Sequence, residues 1–117
     1  MGMNYANAKL LVKVPVGEKE KFNKITKPYE DEFIWGYVDV YERDNMIILC
    51  GSDMEYDNEI EQAENLLKEL KDICIPDSYL AYICTDFACM TKITVTESHE
   101  LDETNTDLDD YGEDDNY

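Results

Sequence analysis

Two hydrophobic rhythms run through this chain, and together they leave few architectures open. Ile60, Ala63, Leu67, Leu70 and Cys74 recur at three- and four-residue steps, and Leu66 and Ile73 widen the stripe. That period belongs to an amphipathic helix with a broad buried face. Capping-box patterns Ser52-x-x-Glu55 and Asn58-x-x-Glu61 offer two starts, and Pro76 sets the end. Elsewhere the rhythm is two. Residues 8–16 alternate Leu10, Val12, Val14 and Val16 with Lys9, Leu11, Lys13 and Pro15. Residues 90–97 place Ile93 and Val95 against Lys92, Thr94 and Thr96. Both read as half-buried strands.

Residues 33–42 (FIWGYVDVYE) give the strongest strand signal. Ile34, Val38 and Val40 fall on one face. Phe33, Trp35, Tyr37 and Tyr41 fall on the other. Arg43-Asp44-Asn45 supplies turn chemistry before the apolar run Met46–Cys50, so 33–50 reads as a hairpin that Gly51-Ser52-Asp53 ends. Residues 17–26 form a short helix candidate stopped by Lys27-Pro28. Residues 79–86 fit a strand by composition and a helix by spacing, with strand the favoured reading.

The expected fold is α+β. A mainly antiparallel sheet carries one long and one short helix on one face. The order resembles a ferredoxin-like βαββαβ arrangement with one extra strand. The expected organisation is one domain over 1–97, then an acidic tail over 98–117.

Charge is the second constraint. The chain holds 28 acids against 10 bases, a formal net charge of −18. Residues 1–28 carry six lysines against Glu18 and Glu20, and residues 29–117 carry 26 acids against four bases. The last 21 residues hold ten acids and no Lys or Arg. Such a segment buries too little apolar surface to offset chain entropy, so it is expected to be disordered alone or bound to a partner. A surface this negative repels phosphate and attracts basic proteins.

Two sets of acids are candidate partner-binding residues. Asp57, Glu59, Glu61, Glu64, Glu69 and Asp72 lie on the long helix. Sixteen helical residues cover about 24 Å, so six charges give one per about 4 Å. One DNA strand carries a charge per about 3.4 Å of axis. Asp107, Asp109, Asp110, Glu113, Asp114 and Asp115 form the tail set. A third candidate group is aromatic: Trp35, Tyr37 and Tyr41 would point away from the helices. They read as covered core, as the dry centre of a protein interface, or as a stacking platform for RNA. The shortage of Lys and Arg argues against RNA.

Enzymatic chemistry finds no support in the motifs. The chain has no phosphate-cradling glycine loop, no H-E-x-x-H and no nucleophile elbow. Ser98 and His99 are neighbours in sequence, which does not make them a dyad. Four cysteines without a C-x2-C pair, and one histidine, do not suggest zinc. Cys50, Cys74 and Cys84 sit in apolar stretches and read as buried thiols. The run 107–112 (DLDDYG) matches part of a calcium loop, but Tyr111 occupies a ligand position. No metal or cofactor is expected. No apolar run approaches the roughly 20 residues that span a bilayer, so a cytoplasmic protein with no membrane partner is expected.

The leading expectation is an acidic interaction protein. It would bind and inhibit a basic nucleic-acid-handling protein, such as a nuclease, by presenting carboxylates in place of phosphates. Anti-restriction and anti-CRISPR inhibitors of phages and mobile elements share this kind of composition. The alternatives are an immunity or antitoxin protein that caps a basic toxin through its aromatics, and an adaptor subunit with a solubilising tail.

Overall fold

Six strands form one antiparallel sheet in the order β2-β3-β1-β4-β5-β6. The computed structural model describes residues 5–84 and 88–107. Strand β1 (Tyr5–Pro15) leads through a 3-10 turn into helix α1 (Lys19–Thr26). Two 3-10 segments follow, Lys27–Asp31 and Phe33–Tyr37. Then come β2 (Val38–Arg43), β3 (Met46–Met54) and helix α2 (Asp57–Leu70). The strands β4 (Tyr79–Cys84), β5 (Cys89–Val95) and β6 (Leu101–Asp107) complete the sheet. Architecture is therefore α+β, with two helices and a six-stranded antiparallel sheet.

The two rhythms meet in the core. Leu10, Val12 and Val14 of β1 have no exposed surface, and neither does Leu49 of β3 or Leu80 of β4. Against them lie Ala63, Leu66, Leu67 and Leu70 of α2, also fully covered, and Ile60 at 4%. Phe22 of α1 closes one end. Each buried leucine contributes about 1.5–3 kcal/mol relative to exposure. The apolar stripe of α2 and the inward alternation of β1 thus satisfy each other.

The hairpin expected at residues 33–50 exists in a shorter form. Asp44 and Asn45 have φ of 54° and 64°, and Arg43 pairs with Met46. Positive φ at both central residues matches the twist of the flanking strands, and Asp and Asn tolerate it. Strand β3 then runs past Gly51-Ser52-Asp53 rather than ending there. Ala8 pairs with Met54 and Lys9 with Ser52, leaving Asp53 (φ 65°) as a bulge residue. The extra residue returns Met54 to the core face, where it is fully buried.

Three expectations need correction. Phe33–Tyr37 is a 3-10 segment and not strand, so the proposed face assignment of its aromatics fails. Trp35 and Tyr37 pack against the core, whereas Tyr41 pairs with Ile48 on the uncovered face of the sheet. Neither suggested capping box caps α2. The helix begins at Asp57, and Glu59 supplies the capping carboxylate. The expected tail from residue 98 contains strand β6, paired with β5 from Val95↔Leu101 to Cys89↔Asp107. His99 sits in the hairpin before it, and its ring N–H donates to the Lys71 carbonyl at 2.9 Å. Ser98 hydrogen-bonds to Glu100 instead of His99.

Candidate protein-binding surface on the helical side

Two side-chain links bring the 3-10 segments against α2. The Tyr29 hydroxyl donates to Glu69. Gln62 Nε2 donates to Glu32 Oε1 at 3.0 Å. Glu59 raises the Tyr37 phenol, so these two groups also lie near each other. Gln62 and Glu69 are seven positions apart, about two turns, and so share one flank of the helix. Proline at the start of the first 3-10 segment turns the chain towards that flank.

This joining concentrates charge. Segments 29–37 and 55–72 carry ten acids against two lysines. Both lysines pair with their own neighbours: Lys68 with Glu64 at 3.3 Å and Lys71 with Asp72 at 3.2 Å. Exposed pairs of this kind gain little. They do reduce the local excess that Glu64 and Asp72 present.

Between the segment Lys27–Asp31 and α2 lies a cleft of about 230 Å³, lined by Pro28, Tyr29, Glu32, Gln62 and Glu69. Gln62 Oε1 is buried and accepts no hydrogen bond among the described residues. Burial pushes the Tyr29 phenol well above its ordinary range, reinforced by its hydrogen bond to Glu69 and by the charges of Glu69 and Glu32. Carboxylates and an amide oxygen make the cleft rich in acceptors. It suits a donor-bearing cation such as guanidinium.

The candidate acids of α2 do not form a single row. Asp57 and Glu61 are exposed, Glu64 is half-buried beside Lys68, and Glu69 is exposed at the cleft. Glu59 is only 7% exposed. Its carboxylate accepts the N–H of Glu55 at 3.0 Å and of Tyr56 at 3.3 Å. Its work is to cap the helix, so it drops out of the exposed set. Asp107 ends β6 opposite Cys89. Asp109, Asp110, Glu113, Asp114 and Asp115 lie outside the described residues, as does most of the 107–112 run.

Sequence reading missed Tyr29, Glu32 and Gln62. The acidic run Glu30-Asp31-Glu32 is the local signal that could have pointed to this segment. Phe33 was noted only as a strand residue, yet it is 80% exposed beside Glu32. Tyr56, at 59%, is exposed at the start of α2.

Comparison with known protein families, curated proteins and solved structures finds no match to this chain. Among the described residues, no helix is long and apolar enough to cross a membrane.

Proposed function

We propose that this chain is an acidic interaction protein that binds and inhibits a basic nucleic-acid-handling protein, its carboxylates taking places that phosphates would occupy. One observation carries the reading: the side-chain links between segments 29–37 and 55–72 join stretches that carry ten acids, nine of them besides the capping Glu59, against two lysines of their own, which pair with Glu64 and Asp72. Glu32, Glu61 and Glu69 are exposed there. Long-range attraction to a basic groove follows from such a field. The strand order β2-β3-β1-β4, with helices after β1 and β3, supports reading the core as a ferredoxin-like split βαβ unit extended by the β5–β6 hairpin.

The experiment is competition. Purified basic nucleases and DNA-binding proteins are incubated with labelled duplex DNA and this chain, at low and high salt. A target shows displacement of DNA that weakens as salt rises. The triple substitution Glu32→Gln, Glu61→Gln and Glu69→Gln then lowers inhibition at low salt. Inhibition untouched by both salt and substitution rejects the charge mechanism.

A second reading draws on Phe33 and Tyr56, two large exposed aromatic residues at the edge of the acidic area. An immunity-type protein would use them as anchors and the acids for steering. In that case Phe33→Ala weakens binding more than any single acid substitution.

A further inference from the structure

The helices cover one face of the sheet, and the pairing register identifies what the other face carries. Leu11 aligns with Cys50 and Tyr79, and Lys13 with Ile48. Ala81 aligns with Lys9 and Lys92, and Ile83 with Met90. On this face the paired positions of the four central strands therefore hold Lys9, Lys13 and Lys92 and no carboxylate, with Asp53 standing unpaired at the bulge of β3. The outer strands add Arg43, Asp39 and Asp102. In a chain of net charge −18 this face is locally positive.

The same face is apolar between its lysines. Ile48 is 8% exposed, and Leu11, Cys50, Tyr79 and Ile83 are half-buried. A cavity of about 230 Å³ opens beside it, lined by Leu11, Lys13, Ile75, Pro76, Asp77 and Ser78. That volume admits one large side chain. The Lys92 ammonium lies 4.9 Å from the centre of the Tyr79 ring, which holds the cation over the surface. Six strands, five spacings apart, span about 24 Å and seven residues about 24 Å, a plane of about 600 Å². That area lies at the lower end of the range, centred on roughly 800 Å², that each partner contributes to a standard interface.

We propose that this uncovered face is a second docking surface, and that its occupant is a protein segment with an apolar ridge edged by carboxylates. Charge complementarity selects that occupant. The lysines stand around an apolar centre, so a matching ligand is apolar in the middle and acidic at its margins. Nucleic acid fits less well. Its phosphates would meet three lysines here and the repulsion of the rest of the chain. The proposal does not depend on the reading of the helical side.

Two synthetic amphipathic peptides test it, identical in their leucine ridge but edged with Glu in one and Lys in the other. Each is titrated into the full chain with labelled methyl groups, followed by NMR. The Glu-edged peptide shifts the methyls of Leu11, Ile48 and Ile83, and binds at least about tenfold tighter than the Lys-edged one. Lys92→Glu, at an exposed position, narrows that preference, and Lys13→Glu with Lys92→Glu reverses it, with a thermal melt verifying the fold of each variant. Several results would overturn the proposal: no shift at those methyls, shifts confined to the helical side, or equal affinity for both peptides. Tighter binding of an oligouridylate at the same methyls would do so as well, because it would make the face a nucleic-acid surface.

Discussion

The Glu59 carboxylate accepts the N–H of Tyr56 at 3.3 Å and of Glu55 at 3.0 Å, and its charge also reaches the Tyr37 phenol. One acid thus closes the start of α2 and lies near the 3-10 segment before β2. It accepts two backbone donors and has little surface. Glu61, two residues on, is exposed.

This pair of acids predicts unequal effects on stability. Glu59→Ala leaves the Glu55 and Tyr56 N–H groups without their acceptor and costs about 1–2 kcal/mol. Glu61→Ala changes stability by less than about 0.5 kcal/mol. Urea unfolding of both variants measures the difference. Equal midpoints would remove Glu59 from the structural role.

Tyrosine ionisation predicts an alkaline limit. Tyr29 and Tyr82 are pushed above the ordinary phenol value of 10.0, in both cases chiefly by burial. Tyr37 is raised mainly by the neighbouring Glu59 carboxylate. A phenol whose folded-state pKa exceeds its unfolded value stabilises the fold while protonated. That contribution is fully present below pH 10 and is lost as pH rises through the folded-state values. Unfolding free energy therefore declines above pH 10, and Tyr29→Phe softens the decline. A tyrosinate absorbance titration of the folded chain should show these groups ionising later than in urea. Coincident curves would contradict the geometry.

The thiols should separate by burial. Cys74 (1% exposed) and Cys84 (7%) are covered, whereas Cys50 and Cys89 are half-buried. Burial also pushes the Cys74 thiol up, so less of the reactive thiolate forms. In the native chain an alkylating reagent followed by peptide mass spectrometry should modify Cys50 and Cys89 before Cys74. Uniform labelling would imply that the core opens readily.

Strand β6 sets a boundary for truncation. Its ladder runs along all of β5, and Thr91, 8% exposed, donates to Asn105 Oδ1 at 2.6 Å. Leu101 packs against the core. A chain ending at Glu100 loses about 2 kcal/mol or more relative to one ending at Asp107, because β5 becomes an edge and Val95 loses cover. Thermal melts of the two chains decide it. Any functional use of a truncation has to respect this boundary.

Much of the fold was legible because local pattern and final environment agree. The three- and four-residue steps from Ile60 to Leu70 persist as the buried stripe of α2. The alternation around Leu10, Val12 and Val14 persists in β1, and Asp44-Asn45 persists as the tight turn. Residues 33–37 were not legible. Alternating aromatics satisfy a strand pattern, but the approach of Tyr37 to Glu59 and the packing of Ile34 and Trp35 against the core favour a 3-10 path. Strand β6 was hidden for a different reason. Beyond Leu101 its side chains are polar, and it is held largely by backbone hydrogen bonds to β5, which leave no periodic apolar mark. The cleft was illegible because it joins residues such as Tyr29 and Glu69, forty positions apart.

Composition and local periodicity were enough to establish an acidic α+β chain, its principal helix and the inward faces of its main strands, because those depend on residues near one another. Which acids remain exposed, which one is consumed as a cap, and which lysines share the open face of the sheet were decided by the folded arrangement. Strand pairing sorts alternate side chains onto opposite sides of the sheet, and helix docking covers one of those sides. Neither event has a signature within any single stretch of sequence.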